Sequence, residues 1–128
     1  MPEHGYYEKR PRPEQMVFLV EKLSTNPVVE EVFQIDEHHI ILNRGNKTEL
    51  RIYLSNKYIL SVADVIEIMK ASPQINCIVS TMNYNQYSPE AKAYCRERQV
   101  GLFKSVELLG AVYHDGEKFL DYMPPRRR

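Results

Sequence analysis

The stretch INCIVST, residues 75–81, constrains the fold more than any other part of the chain. It is a nearly continuous apolar run of strand length, and such a strand is covered on both faces. Helical patterns flank it. Before it, Ser61 is a plausible N-cap, Val62, Val65, Ile66 and Met69 form one stripe, and Pro73 follows the end. After it, Ser88-Pro89-Glu90 supplies an N-cap, a proline at the first helical position and an early acid; Ala91, Tyr94, Cys95 and Arg98 then share a face. VGLF, residues 100–103, is a further short strand. A strand–helix–strand series of this kind demands parallel strands joined by crossovers.

The first half follows a different rule. From Pro13 the chain is helical, with Met16, Val17, Leu19, Val20 and Leu23 on one side, and Pro27 disfavours helical geometry at Asn26. Strands are expected over residues 28–35, 38–44 and 49–54, linked by Asp36-Glu37 and by the RGNK turn. Short links between three strands predict an antiparallel meander. SVELLGAVY, from Ser105, starts as a short helix that ends near Gly110. The expected fold is therefore α/β: a mixed central sheet, antiparallel meander first and parallel β-α-β units second, flanked by helices. Residues 13–122 form the single domain, between a basic tail over 1–12 and another over 123–128.

Charge limits the functional classes. Lys plus Arg and Asp plus Glu both total 17, so the formal net charge is zero. A protein held to nucleic acid by non-specific phosphate attraction normally carries a basic excess, so any such contact here is local. No apolar run approaches the ~20 residues of a membrane span. The first residues lack the apolar segment of a secretory signal, which makes a cytoplasmic location the expectation and membrane partners unexpected. Cys77 and Cys95 are isolated in sequence and read as buried, reduced thiols; no paired Cys-x-x-Cys suggests zinc.

Several residues are candidates for chemistry. Glu49 and Arg51 stand two apart on one strand, so both leave the same face. Asp36, His38 and Glu49 would form a transition-metal set if neighbouring strands brought them together, against the alternative of an exposed polar face. The loop after the apolar strand holds Asn83, Tyr84 and Asn85, and leads to Tyr87. Open α/β sheets place ligands at that end of their strands; the amides suit hydrogen-bonding edges and the tyrosines suit base stacking. Arg126 and Arg127, with Lys9, Arg10, Arg12 and Arg128 in the tails, are able to grip phosphates.

The element order, together with Ser61-Val62-Ala63-Asp64-Val65, Ile78-Val79-Ser80, Ala91…Tyr94 and Val100-Gly101-Leu102-Phe103, resembles the restriction-endonuclease-like fold, in particular the Mrr-type branch of the PD-(D/E)xK nucleases. The resemblance implies an Asp and a Glu on adjacent strands holding Mg²⁺, with a Lys beside the attacking water. Matching residue types places Asp36, Glu49 and Arg51 in these roles. Counting back from the helix start at Ser61 places Ile52 and Leu54 there instead. Arginine stays protonated and is a poor general base, and aliphatic side chains hold no metal. The expectation is a catalytically degenerate domain without a cofactor, acting as a binding or assembly module for nucleic acid or a nucleic-acid-processing partner. Its companions would be a second copy of itself or a related nuclease-like subunit. The alternatives are an active Mg²⁺-dependent nuclease using Asp36, Glu49 and Arg51, and a purely structural protein-interaction domain.

Overall fold

A computed structural model describes residues 12–81 and 86–124. The apolar stripe after Pro13 forms α1 (Pro13–Ser24), burying Met16, Leu19 and Leu23 at successive turns of one face. The meander follows as β1 (Glu31–Gln34), β2 (His39–Asn43) and β3 (Leu50–Ser55). Beyond it lie β4 (Ile59–Leu60), α2 (Val62–Ala71), β5 (Cys77–Ser80), β6 (Gln86–Tyr87) and α3 (Pro89–Glu97), then β7 (Gly101–Lys104), α4 (Ser105–Ala111) and α5 (Gly116–Leu120).

The main sheet has five strands in the order β1-β2-β3-β5-β7. β1–β2 and β2–β3 are antiparallel, whereas β3–β5 and β5–β7 are parallel, so the sheet is mixed as the two halves of the sequence require. Helices cover both faces. One core joins α1, α4 and α5 to Ile40, Leu42, Ile52, Leu54, Val79 and Phe103. The other joins α2 and α3 to Ile78 and Leu102. β5 is buried at all four residues because Cys77 and Val79 enter the first core and Ile78 the second.

Local chemistry accounts for the helix starts. Ser61 caps α2 in a full capping box: its hydroxyl accepts from the Asp64 amide while the Asp64 carboxylate accepts from the Ser61 amide. Ser88 caps α3 by accepting from the Ala91 amide, with Pro89 behind it. The two cysteines are free and buried, one in each core, and burial pushes the Cys95 thiol up to about 12.

The structure departs from the expected elements in three places. β1 is shorter than residues 28–35, because Val29 donates to the Asn26 carbonyl in a turn before pairing begins. β4 and β6 form a separate two-stranded parallel sheet that two-residue segments cannot announce by alternation. The short helix α5 was also not expected.

Acid should reveal the α2 cap. Burial pushes the Asp64 carboxyl up, but the Ser61 amide, the Lys57 ammonium and the Ser61 hydroxyl outweigh it and hold the group below the usual carboxylate range. A carboxyl depressed on folding contributes stability above its unfolded value near 3.8 and loses it as pH falls through the folded one. Asp64→Asn is expected to cost about 1 kcal/mol at pH 7. Urea titrations of the two proteins should converge below pH 3.8.

Candidate functional site

The polar side of the β2–β3 ladder faces α2. His39 pairs with Tyr53 and Ile41 with Arg51 in the antiparallel register, and Ala71 and Ser72 at the C-terminal end of α2 border the space beside them. The result is a pocket of about 300 Å³ with Asp36, His39, Arg51 and Ser72 on its walls and Ile41, Ile52 and Ile75 among its apolar surfaces.

A chain of hydrogen bonds runs along one wall. The Asp36 carboxylate lies 2.8 Å and 3.0 Å, through its two oxygens, from His39 Nδ1, and His39 Nε2 lies 2.8 Å from Ser72 Oγ. A carboxylate at Nδ1 makes that nitrogen the donor, which leaves Nε2 as acceptor for the Ser72 hydroxyl. Asp36 also accepts from the His38 amide at 2.8 Å. Burial is the largest single influence and pushes its carboxyl up, but the His38 amide and the His39 ring and amide together outweigh it and keep the group below its ordinary value. Ser72 is buried just past the last turn of α2. Its amide donates to the Ile68 carbonyl and its own carbonyl accepts from Ile75, so both backbone groups are paired without the hydroxyl.

The ring of Tyr53 is held between both histidines. His38 stacks on it at 5.1 Å with planes 8° apart, and His39 meets it edge-on at 5.3 Å. His38 Nδ1 is also 3.0 Å from the Leu54 carbonyl, which fixes the ring from its other side.

Candidate residues read from the sequence fall into three groups. Asp36 and Arg51 share the pocket, but Glu49 is outside it. Three ladder steps, roughly 10 Å at 3.4 Å per residue, separate the His39–Tyr53 pair from the Leu42–Leu50 pair. Asp36 precedes the first pair and Glu49 the second, at opposite ends. Ligands of one Mg²⁺ stand about 2.1 Å from it, so their oxygens lie within roughly 4 Å of each other. Asp36 and Glu49 do not fit that requirement, and the Asp36, His38 and Glu49 set is not brought together either. Among the described residues, no group of three or more His, Cys, Asp or Glu side chains is placed to hold a metal ion. The Arg51 guanidinium instead lies 3.7 Å from Glu49 and donates through Nε to the Gln74 carbonyl.

Tyr87 donates its hydroxyl to Glu107 at 2.8 Å, and Lys92 lies 5.6 Å from its ring. Asn83, Tyr84, Asn85, Arg126 and Arg127 lie outside the described residues. Ser72 is the functional candidate that sequence reasoning missed. It stands 33 residues from His39, next to Pro73 at a helix end, where serine is an ordinary helix-terminating residue. Only the docking of α2 on that face of the sheet joins them. Among the described residues no helix is long and apolar enough to cross a membrane. No protein-family model, curated protein or solved structure matches this chain.

Proposed function

We propose that this domain is a restriction-endonuclease-like fold without nuclease chemistry, serving as a binding or assembly module for nucleic acid or a nucleic-acid-processing partner. One observation carries the reading: the positions where such a nuclease needs its charged centre are split or filled. Asp36 and Glu49 stand at opposite ends of the β2–β3 ladder. Ile52 and Leu54, the residues at the family's distance from the Ser61 helix start, are fully buried in the core. Arg51 is a permanent cation already facing Glu49 and the Gln74 carbonyl, suited to holding an anion but not to taking a proton from water.

Binding is assigned to local contacts at the C-terminal end of the parallel strands. Asn83, Tyr84 and Asn85 follow β5 in the chain, with Tyr87 after them, and Arg126 and Arg127 add phosphate contacts. A gel shift with single- and double-stranded DNA and RNA tests this. The expected result is a complex that weakens steeply between about 50 and 200 mM salt and is lost in a Tyr84→Ala, Arg126→Ala, Arg127→Ala variant. A chain that binds no nucleic acid but self-associates in sedimentation would support the assembly role. A monomer that binds none would refute both.

A further inference from the structure

We propose that Asp36, His39 and Ser72 form a nucleophilic relay that hydrolyses small carboxylic esters in the pocket between the β2–β3 ladder and the end of α2. The inference is independent of the nucleic-acid reading and uses none of its contacts. It rests on connectivity. A carboxylate bonded to Nδ1 of an imidazole whose Nε2 accepts from a serine hydroxyl is the arrangement that activates serine as a nucleophile on several unrelated folds. Here the three links are 2.8 Å, 3.0 Å and 2.8 Å, and the members come from a turn, a strand and a helix end held by separate packing.

The surroundings supply the remaining parts. The Ser72 amide and carbonyl are paired without its Oγ, and the residue lines an open pocket of about 300 Å³. That volume accepts a short acyl chain, and Ile41, Ile52 and Ile75 give it apolar walls. Arg51 lines the same pocket, with its guanidinium held by the Gln74 carbonyl and Glu49, and is assigned to the developing oxyanion as the permanent cation on the pocket's lining. Ester hydrolysis needs no co-reactant beyond water.

The chemistry balances in two halves. Ser72 Oγ attacks the ester carbonyl carbon while its proton passes to His39 Nε2. The tetrahedral adduct collapses, the bond to the alkoxy oxygen breaks, and the alcohol leaves with the proton from Nε2. Water then attacks the acyl-serine carbonyl, giving one proton to Nε2; the acyl–oxygen bond to Ser72 breaks, Ser72 recovers that proton, and the carboxylic acid departs. Asp36 does not touch the substrate. It is a positioning residue that sets the tautomer and stabilises the imidazolium.

A fluorophosphonate probe tests the relay directly, since a covalent bond from Ser72 Oγ to phosphorus, with loss of fluoride, is a signal that a structural hydroxyl does not produce. Intact-mass and peptide mapping of the full chain should show one adduct, on Ser72. The adduct should be absent in Ser72→Ala and formed about 10²–10⁴-fold more slowly in His39→Gln. Hydrolysis of p-nitrophenyl acetate should fall in parallel. Ser72→Cys guards against misfolding. Its thiol should react with iodoacetamide faster than buried Cys77 and Cys95, and that advantage should vanish with His39→Gln. A wild-type chain that folds, takes no adduct on Ser72 and hydrolyses the ester no faster than Ser72→Ala would overturn the proposal and leave the three residues as a strand-to-helix tie.

Discussion

Arg44→Met is expected to lower the unfolding free energy by about 3–5 kcal/mol, measured by urea denaturation at pH 7. Arg44 ends the β2 side of the RGNK turn, a position whose sequence suggests a solvated charge, yet its side chain is fully buried. The guanidinium donates to the Val112 carbonyl at 2.9 Å, to the His114 carbonyl at 2.7 Å, and through two nitrogens to the Thr48 carbonyl at 3.0 Å and 2.7 Å. It also meets the Asp115 carboxylate at 3.2 Å, and that carboxylate accepts from the Thr48 amide and hydroxyl. One cation therefore ties the β2–β3 turn to the segment between α4 and α5. Methionine fills similar space but strands acceptors whose donors were charge-assisted, which is the expensive way to break such a network. Arg44→Lys should recover little, because an ammonium cannot reproduce the planar fork. Asp115→Asn should cost less, since that carboxylate is 38% exposed and water can replace part of its interactions.

Phe103→Ala is expected to cost a similar amount, about 3–5 kcal/mol. Phe103 is fully buried on β7 and packs edge-on against Phe119 at 5.1 Å, joining the sheet to α5. Its ring also lies 4.0 Å from the Lys92 ammonium, which donates to the Leu102 carbonyl at 2.6 Å. Burial pushes that ammonium's pKa down, and nearby Glu107 acts in the opposite sense. Removing the ring leaves a cavity and takes away the π-face next to a poorly solvated cation. Phe103→Leu keeps much of the volume and should lose less than Phe103→Ala. Lys92→Met, which replaces the cation by an apolar chain of similar length, should be the mildest of the three. Thermal melts of these variants would check the order.

These two residues also mark where sequence reading stops. The layers were legible because periodicity is a direct record of burial. The stripe of Met16, Leu19, Val20 and Leu23, the alternation of Leu50, Ile52 and Leu54, and the unbroken apolar run through β5 all appear as expected, whereas Val17, also read into that stripe, is 56% exposed. So do the caps at Ser61 and Ser88, since capping is a local code. The sequence places Arg44 in a turn, and nothing adjacent in the chain reveals its partners, which lie up to 71 residues away. Glu49 and Arg51 were correctly placed on one face by their spacing, but spacing within one strand says nothing about where Asp36 falls on the next. The pairing register decides that, and it puts Asp36 and Glu49 at opposite ends. The Asp36–His39–Ser72 chain was illegible for the same reason, since Ser72 reaches His39 only after α2 packs across the strands.

A Mg²⁺-dependent cleavage assay decides whether the domain lacks nuclease chemistry. Purified chain would be incubated with single- and double-stranded DNA and RNA, with Mg²⁺ and with chelator, beside Asp36→Ala, Glu49→Ala and Arg51→Ala. The structure has Asp36 and Glu49 too far apart to share a cation and core side chains at Ile52 and Leu54. Equal, background-level product is expected in every lane, with no difference between wild type and variants. Mg²⁺-dependent cleavage that disappears in Glu49→Ala would contradict it.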